Sequence, residues 1–368
     1  MRLHVLALAG DGIGPEVLRA AATVLEAVCR RFGHELDLAE GLIGGAAIAR
    51  AGVPLPAATL SAAAAAGATL LGAVGLPEYD ALPPERRPER GLLDLRKALG
   101  VFANLRPSRT WPSLLDASPL KNSVVQGTDL VFVRELTSGI YYGTPRGVSG
   151  SGPDERAVNT LSYSRAEIER VARVAFELAL GRRRKVTSVD KSNVLENSQL
   201  WRRVVTAVAR DYPDVELSHM LVDNCAMQIV LNPRQFDVVL TENMFGDILS
   251  DEAAVLAGSI GMLASASLGS ARAGSDGLRQ GLYEPVHGSA PDIAGRGVAN
   301  PLGAIGSVAA MLDYSFGLRK EAAAVGHAID AVVASGRMTA DLRPAGSPAT
   351  TQEVAAAAAL LIGEMADA

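Results

Sequence analysis

Residues 4–15 have the sequence HVLALAGDGIGP, in which an apolar run stops at three closely spaced glycines and a proline. His4–Ala9 has the length and composition of a buried strand. Pro15 suits the first turn of a helix, and apolar residues recur after it at helical spacing: Val17, Leu18, Ala21, Val24, Leu25 and Val28. This stretch therefore predicts a strand, a tight turn and a helix, the opening unit of an α/β fold.

The same alternation continues through the chain. An Ala-rich helix is predicted at Thr59–Ala66, between strands at Glu35–Leu38 and Thr69–Val74. Further strands, with helices between them, are predicted at Val124–Val125, Leu130–Val133, Val186–Val189, Glu216–Val222 and Asp237–Leu240. Ser164 and Glu167 form a capping-box pattern that opens another helix, and Gly181 suits its end. We therefore predict an α/β fold with parallel or mixed sheets covered by helices.

Composition excludes several classes of protein. The chain has 368 residues and a net charge of −5, so it lacks the basic surface that nucleic-acid binding requires. Its two cysteines, Cys29 and Cys225, lie far apart in sequence and indicate no disulfide framework. No run approaches the roughly 20 apolar residues that span a bilayer, and the N-terminus does not resemble a secretory leader. We expect a cytoplasmic protein of two lobes.

The glycine cluster invites comparison with dinucleotide-binding loops. It runs Gly10-x-Gly12-x-Gly14, so the third glycine comes one position too early for that fingerprint, and Pro15 follows directly. The cluster therefore predicts a tight turn, and any dinucleotide site would be of a non-Rossmann type.

Three arginines indicate a site for a substrate with several carboxylates. Arg96 lies in the Leu-rich segment Gly91–Lys97, Arg106 follows Phe102–Leu105, and Arg134 ends an apolar strand, where ligands bind in open α/β sheets. The guanidinium fork matches a carboxylate, so we expect the three to converge on one ligand. Taken singly, each arginine is more often part of a surface ion pair.

An acidic motif, FGDILSD at residues 245–251, offers a metal site. Asp247 and Asp251 lie one turn apart on the same face of a helix, where like charges repel. Mg²⁺ or Mn²⁺ would relieve that repulsion, although acids near a helix start are also favoured by the helix dipole. Asp223, at the end of a predicted strand, is a third candidate ligand.

Two further features are candidates for proton transfer and cofactor binding. Tyr141 and Lys191 are candidate groups for proton transfer. Lys191 directly follows a predicted strand, so it would lie at the carboxyl end of that strand. Residues 284–295, EPVHGSAPDIAG, followed by Asn300, form a loop of small residues that would let a flat ligand approach the backbone. Asp292 could accept hydrogen bonds from a ribose diol and repel a 2′-phosphate, which favours NAD over NADP. Considered one at a time, Lys191 and Tyr141 are more often an exposed lysine and a packed tyrosine. The alternative for the loop is a tight structural loop.

Taken together and in this order, these motifs resemble the isocitrate/isopropylmalate family of β-decarboxylating dehydrogenases, from Gly10–Pro15 to about Phe316. The most specific parts are Gly91–Arg96 with Phe102–Pro107, Gly246–Asp251 and His287–Gly295. The resemblance implies a two-lobed homodimer with shared active sites. Residues 1–106 and 258–368 would form the cofactor lobe, and residues 107–257 the central lobe, with an intersubunit arm at about 139–160.

The resemblance also implies a role for each matching residue. Arg96, Arg106 and Arg134 would hold the substrate carboxylates, and Glu89, Leu92 and Leu93 would meet the substrate side chain. Asp247 and Asp251, with Asp223 of the partner subunit, would bind Mg²⁺ or Mn²⁺ near the substrate. Lys191 of the partner subunit would assist removal of the hydroxyl proton, and Tyr141 would protonate the carbon that loses CO₂. NAD would lie along Glu284, His287, Gly288, Ser289, Ala290, Asp292 and Asn300.

The reaction implied is oxidation and decarboxylation of 3-isopropylmalate, a step of leucine biosynthesis. Leu92 and Leu93 favour it, because family members that use isocitrate place polar residues there. A D-malate, tartrate or other alkylmalate dehydrogenase and a non-catalytic regulatory subunit remain alternatives. A phosphohydroxythreonine dehydrogenase is a weaker one, since its metal ligands are histidines and this chain has five scattered histidines.

The chain departs from the family pattern at three places. The usual Gly-Gly-Pro-Lys-Trp loop is replaced by Gly75-Leu76-Pro77-Glu78-Tyr79, which reverses a charge. Glu242 stands where a glycine is usual, and the loop predicted at Gly269–Leu282 is longer than in the family.

Overall fold

The computed structural model describes residues 1–272 and 277–365. Its strands are β1 (Arg2–Gly10), β2 (Glu35–Gly41), β3 (Ala68–Ala73), β4 (Ala103–Arg109), β5 (Asp129–Glu135), β6 (Gly147–Ser149), β7 (Arg156–Val158), β8 (Lys185–Asp190), β9 (Glu216–Leu221), β10 (Val238–Thr241), β11 (Ala264–Ala271) and β12 (Arg279–Pro285). Its helices are α1 (Gly14–Phe32), α2 (Gly44–Ala51), α3 (Ala57–Ala65), α4 (Pro88–Ala98), α5 (Asn122–Val125), α6 (Arg165–Leu180), α7 (Glu196–Ala209), α8 (Val222–Leu231), α9 (Asn243–Ala254), α10 (Leu302–Phe316), α11 (Arg319–Ala334) and α12 (Thr351–Glu364).

The chain divides into two compact units. Unit 1 comprises Met1–Val101, Thr110–Pro119 and Ala254–Ala368, and unit 2 comprises Phe102–Arg109 and Leu120–Ala253. The sequence-based division assigned residues 102–106 to the lobe formed by both chain ends. In the structure they lie in unit 2, because β4 pairs antiparallel with β5 from Ala103 to Arg109. Residues 110–119 and 254–257, which the same division assigned to the central lobe, lie in unit 1.

Unit 1 contains strands in the order β2-β1-β3-β12-β11. The first four run parallel and β11 is antiparallel to β12. Helix α1 buries its apolar face with α10 and α12. Residues 273–276 of the long loop predicted at Gly269–Leu282 lie outside the described residues. Much of the rest of that segment is strand rather than loop, since β11 runs to Ala271 and β12 starts at Arg279.

Unit 2 contains strands in the order β4-β5-β10-β8-β9. The parallel pairs β5-β10, β10-β8 and β8-β9 bring the carboxyl ends of four strands to one edge. Helix α6 starts at the predicted capping box of Ser164 and Glu167, and Gly181 follows its last residue. The prediction of a strand at Val124–Val125 was wrong. These residues end the short helix α5, in which Gln126 N bonds to Asn122 O at 2.9 Å, and two valines are too few to set a strand.

The segment at about 139–160, predicted as an intersubunit arm, contains a hairpin. Strands β6 and β7 pair antiparallel, from Gly147 with Val158 to Ser149 with Arg156. All six residues of the two strands are exposed, including Val148 and Val158. Among the residues that the structure describes, no helix is long and apolar enough to cross a membrane.

Candidate active site

Two arginines of unit 2 are placed by paired strands. Arg106 lies on β4 and Arg134 on β5, where the register pairs Asn104 with Arg134 and Arg106 with Phe132. Both arginines are buried, with 8% and 3% exposure. A buried guanidinium must be paired, and the partners come from α9, which begins two residues after β10 ends.

Asp247 on α9 is the centre of this cluster. Its Oδ1 accepts a very short hydrogen bond from Arg134 Nη1 and lies 3.4 Å from Arg106 Nη2. Its Oδ2 accepts a hydrogen bond of 3.0 Å from the Tyr141 hydroxyl. The structure thus brings four of the predicted site residues together in one place: Arg106, Arg134, Tyr141 and Asp247.

Asp251 lies one turn further along α9 and is more exposed. Its Oδ1 accepts a 3.1 Å hydrogen bond from Arg106 Nη1, which also donates to Ser250 Oγ at 2.8 Å. Partial burial raises the pKa of Asp251, with Arg106 acting in the opposite direction and Asp247 adding to the rise. The repulsion expected between the two carboxylates is therefore already offset in part by Arg106 and Arg134.

The glycine of the FGD motif has a steric reason. A Cβ on Gly246 would come within 2.7 Å of Arg134 Cγ and 2.3 Å of Thr241 Oγ1. Only glycine lets α9 approach Arg134 closely enough for the Asp247 contact. This explains why the acidic motif and the arginine occur together.

Tyr141 ends a single turn, Gly139–Tyr141, after β5. Burial raises the pKa of its hydroxyl to about 12, and the negative charge of Asp247 and the hydrogen bond to that carboxylate act in the same direction. The Arg134 guanidinium lies 5.8 Å from the ring centroid. Tyr141 is therefore a protonated hydrogen-bond donor at neutral pH.

Lys191 and Asp223 form a separate pair in unit 2. Lys191 directly follows β8, Asp223 lies in the first turn of α8, and Lys191 Nζ is 2.6 Å from Asp223 Oδ1. The hydrogen bond from Lys191 lowers the pKa of the Asp223 carboxyl. Asp223 is 61% exposed at its side chain, so the pair is accessible to solvent.

The residues predicted to hold a metal fit one in part. Asp247 and Asp251 supply the hard oxygen donors that Mg²⁺ and Mn²⁺ prefer. Over residues 1–272 and 277–365, no three His, Cys, Asp or Glu side chains group as metal ligands.

Arg96 lies in unit 1, where it pairs with Glu284. Arg96 Nη2 donates a 2.5 Å hydrogen bond to Glu284 Oε1, and both side chains are about nine-tenths buried. On the same helix, α4, Glu89 is exposed, and Leu93 is partly exposed. Leu92 is partly buried and packs against a core cluster that includes Leu6, Leu71 and Leu282.

The glycine turn of unit 1 contacts the predicted cofactor loop. Ile13 N donates to Ser289 O at 2.7 Å. Gly12 has a φ of +55°, and a Cβ there would lie 2.0 Å from the same carbonyl oxygen. Ala290, which follows Ser289 in the chain, has a φ of +37°. The turn at residues 10–14 therefore supports the loop through its backbone, without a Rossmann fingerprint.

His287 is the most constrained member of this loop. It is 8% exposed, and its Nδ1 bonds to Gly288 O at 2.9 Å, so Nδ1 carries the proton. Its buried Nε2 has no hydrogen-bond partner in the part of the chain that the structure describes. Burial lowers the pKa of His287, so the ring is neutral and Nε2 is an unused acceptor. A ligand with a hydroxyl or amide donor fits such an atom.

The other loop residues divide into buried and exposed groups. Asn300 is buried and donates to Asp341 Oδ2 at 3.0 Å, while its Oδ1 accepts from Leu302 N at the start of α10. Gly288 and Asp292 are exposed, which suits groups that would meet a ligand.

Sequence reasoning missed two positioning residues in unit 2. Asn104 Oδ1 accepts from Arg106 Nε at 2.8 Å, and Asn243 Oδ1 accepts from Arg134 Nε at 3.0 Å. Both asparagines are buried. Their nearness to the arginine and FGD motifs was the available signal. Spacing does not show which side chains are in contact: Asn104 and Arg106 lie two residues apart on β4, and Asn243 reaches Arg134 from α9.

Asp11 was also missed. Its carboxylate accepts hydrogen bonds from Gly45 N, Ala46 N and Gly75 N at 2.8–2.9 Å. It thereby fixes the start of the unusual segment Gly75–Tyr79. Tyr79 OH also donates to Gly45 O at 3.4 Å.

The unusual Glu242 lies at the start of α9. Its Oε1 accepts from Phe245 N at 2.7 Å, and its Oε2 accepts from the Tyr163 hydroxyl at 3.3 Å. Burial raises the pKa of this carboxyl. Glu242 therefore caps the helix that carries Asp247 and Asp251.

Comparison with known proteins identifies the family. The family model described as "Isocitrate/isopropylmalate dehydrogenase" matches residues 4–358. Curated relatives named 3-isopropylmalate dehydrogenase include one from Halalkalibacterium halodurans, 56% identical over 95% of both chains. Another, from Bacillus subtilis (strain 168), is 56% identical over 96% of this chain and 95% of the relative.

Solved structures give the same fold. The crystal structure of isocitrate dehydrogenase from Methylococcus capsulatus has a TM-score of 0.86 and 34% identity, and the match covers 98% of this chain and all of the other. The fold and the clustered arginines and aspartates thus define an oxidoreductase of the dehydrogenase class. The chain belongs to the isocitrate/isopropylmalate dehydrogenase family, as its motifs predicted.

Proposed function

We propose that this enzyme oxidises 3-isopropylmalate with NAD⁺ and releases CO₂ to give 4-methyl-2-oxopentanoate, a step of leucine biosynthesis. The observation that carries the proposal is the convergence of Arg106, Arg134 and Tyr141 on Asp247 in unit 2. The names of the relatives at 56% identity support the choice of substrate.

Binding begins with the two carboxylates of the substrate. Arg106 and Arg134 supply guanidinium groups for them, because a carboxylate of the ligand can share or replace the carboxylate contacts made by Asp247. We assign Arg96 to the same task from unit 1. Leu92 and Leu93, with Glu89 beside them, would form the wall that meets the isopropyl group, at about 0.8 kcal/mol per buried CH₂.

Asp247 and Asp251, with Asp223 of the partner subunit, would hold Mg²⁺ or Mn²⁺. Such an ion, when bound, acts as a Lewis acid that lowers the cost of the alkoxide and of the enolate. Lys191 of the partner subunit would assist removal of the proton of the C2 hydroxyl, which its Nζ can accept only as the neutral amine. Tyr141 would donate its phenolic proton to the carbon that has lost CO₂, a role that suits a hydroxyl with a pKa of about 12.

The loop of unit 1 would bind NAD⁺. The neutral His287 offers an acceptor at Nε2, and Glu284, Gly288, Ser289, Ala290 and Asn300 would line the cofactor. The exposed Asp292 would accept from the ribose diol and repel the 2′-phosphate of NADP.

A second copy of the chain would complete the site. Apolar side chains are exposed on α8 and α9 of unit 2, including Met227 at 55%, Leu231 at 66% and Ile248 at 60%. Burying such a face in a homodimer would remove it from water. The exposed hairpin β6-β7 would form the intersubunit arm. We assign the enzyme to the cytoplasm, which suits its two free cysteines.

A substrate panel tests the proposal. NADH formation is measured with 3-isopropylmalate, other 2- and 3-alkylmalates, D-malate and tartrate, with NAD⁺ or NADP⁺ and added Mn²⁺. We expect the highest kcat/KM on 3-isopropylmalate with NAD⁺, and about 10- to 200-fold less for a side chain one methylene different. A higher value on D-malate or tartrate would make this a relative with another substrate, and no turnover at all would indicate a regulatory subunit.

A further inference from the structure

Asn243 is a buried amide at the start of α9, the helix that carries Asp247 and Asp251. It is the first residue of α9 and is 1% exposed. Asn243, Asp247 and Asp251 follow one another at intervals of four residues, so they lie along one face of that helix. The proposed mechanism gives Asn243 no role.

The two halves of this amide contact two different parts of the site. Asn243 Oδ1 accepts hydrogen bonds from Arg134 Nε at 3.0 Å and from Arg134 Nη2 at 2.7 Å. Asn243 Nδ2 donates to Ser138 O at 3.0 Å. The amide orientation is fixed by these partners, because a flipped amide would turn its NH₂ toward a guanidinium and its oxygen toward a carbonyl.

The contact with Arg134 decides which edge of the guanidinium faces the ligand. Nε and Nη2 are engaged by Asn243, and Nη1 points to Asp247. A guanidinium held along one edge keeps its plane and direction, which is what bidentate recognition of a carboxylate requires.

The contact with Ser138 fixes the turn that carries Tyr141. Ser138 is held at three atoms: its N donates to Glu135 Oε2 at 2.9 Å, its Oγ donates to Glu167, and its O accepts from Asn243. Tyr141 follows three residues later, and its hydroxyl reaches Asp247.

We propose that Asn243 is a positioning residue that sets the direction of Arg134 and the place of Tyr141 through the two ends of one amide. The kinetic consequences of this proposal rest on the proposed function, whereas the contacts of Asn243 do not depend on it. Asn243 acts through Arg134 in substrate binding and through Tyr141 in protonation, so the two effects are separable by substitution.

Two substitutions separate them. Asn243→Asp keeps an acceptor for Arg134, now with a negative charge, and places a carboxylate oxygen against Ser138 O, so it retains the Arg134 contact and disturbs the Tyr141 side. We expect KM for 3-isopropylmalate within about threefold of wild type and kcat reduced by about 10- to 100-fold. Asn243→Ala removes both contacts, so we expect the same loss of kcat and a KM raised by about tenfold or more. Asn122→Asp, at an exposed position of α5, controls for the change of net charge.

Binding measured without turnover keeps this inference distinct from the proposed function. Calorimetric affinity for 3-isopropylmalate, with Mn²⁺ present, should fall about tenfold in Asn243→Ala and stay near wild type in Asn243→Asp. In a double-mutant cycle, Arg134→Lys should remove most of the effect of Asn243→Ala on that affinity. Equal losses of affinity in both Asn243 variants, or additive effects on affinity with Arg134→Lys, would overturn the positioning role. A wild-type enzyme that binds the ligand but turns over none of the panel would overturn the proposed function alone.

Discussion

Arg96 Nη2 donates a 2.5 Å hydrogen bond to Glu284 Oε1, and the two side chains are only 11% and 10% exposed. This pair joins a residue assigned to the substrate to a residue assigned to NAD, both within unit 1. A buried ion pair costs desolvation energy that its own attraction offsets only with good geometry. The contribution of this ion pair to the free energy of unfolding is therefore best tested by removing one partner and then both.

Removing Glu284 alone should destabilise the protein more than replacing both partners. In Glu284→Ala, the Arg96 guanidinium stays buried without its carboxylate, so we expect the free energy of unfolding to fall by about 3–5 kcal/mol. In the double variant Glu284→Leu with Arg96→Met, apolar side chains fill the space and most of that loss should be recovered. Urea unfolding measures both, and a double variant less stable than Glu284→Ala would contradict this account.

Lys191→Ala should abolish most of the activity and leave the fold intact. The Lys191–Asp223 pair is exposed enough to contribute no more than about 1 kcal/mol to stability. Loss of a proton-transfer group lowers kcat by about 100- to 10,000-fold. Lys185→Ala is the matched control, since Lys185 starts the same strand and pairs with Glu216 at 3.8 Å. Turnover near wild type in Lys191→Ala would remove Lys191 from the mechanism.

The strands at the centre of the fold could be predicted because their apolar runs are long enough to exclude other structures. β1, β5 and β8 all lie within a few residues of their predicted limits. Val124–Val125 was misassigned, since a run of two residues carries no periodicity. β4, β11 and β12 were not predicted, because Pro107, charged residues and small residues interrupt their patterns.

The site was predictable to the extent that its residues lie in motifs. Arg106, Arg134, Tyr141 and Asp247 were each singled out from sequence, and the structure places them in contact. Spacing could not show that Arg106 and Arg134 neutralise the aspartates, because that depends on the register of β4 against β5. The roles of Asn243 and Asp11 depend on contacts between segments that lie far apart in sequence, and a single sequence does not contain that information.

Asp247→Asn should weaken the response to the metal. The amide keeps its size but loses the charge that would hold Mn²⁺, so we expect the Mn²⁺ concentration for half-maximal activity to rise by about 10- to 100-fold. The amide oxygen can still accept from Arg106 and Arg134 but carries no charge, so the weaker contacts should also lower stability, by about 1–3 kcal/mol. Asp313→Asn, on α10 of unit 1, makes the same chemical change outside the site. An unchanged Mn²⁺ requirement in Asp247→Asn would remove Asp247 from the metal site.

His287 should make the protein less stable in mild acid. Burial lowers its pKa in the folded state, so below about pH 6.5 the unfolded chain binds a proton that the folded chain resists. Stability is therefore full above that pH and falls as the pH drops. His287→Asn removes this contribution, so the difference in free energy of unfolding between about pH 7.5 and pH 5.5 should shrink. Burial also lowers the pKa of His219, so His219 should still contribute part of this pH dependence in His287→Asn. His327→Asn, at an exposed histidine, is the control. The measurement is urea unfolding of the NAD-free enzyme at the two pH values. If the free energy of unfolding changes equally between these pH values in wild type and His287→Asn, His287 is not the group that titrates.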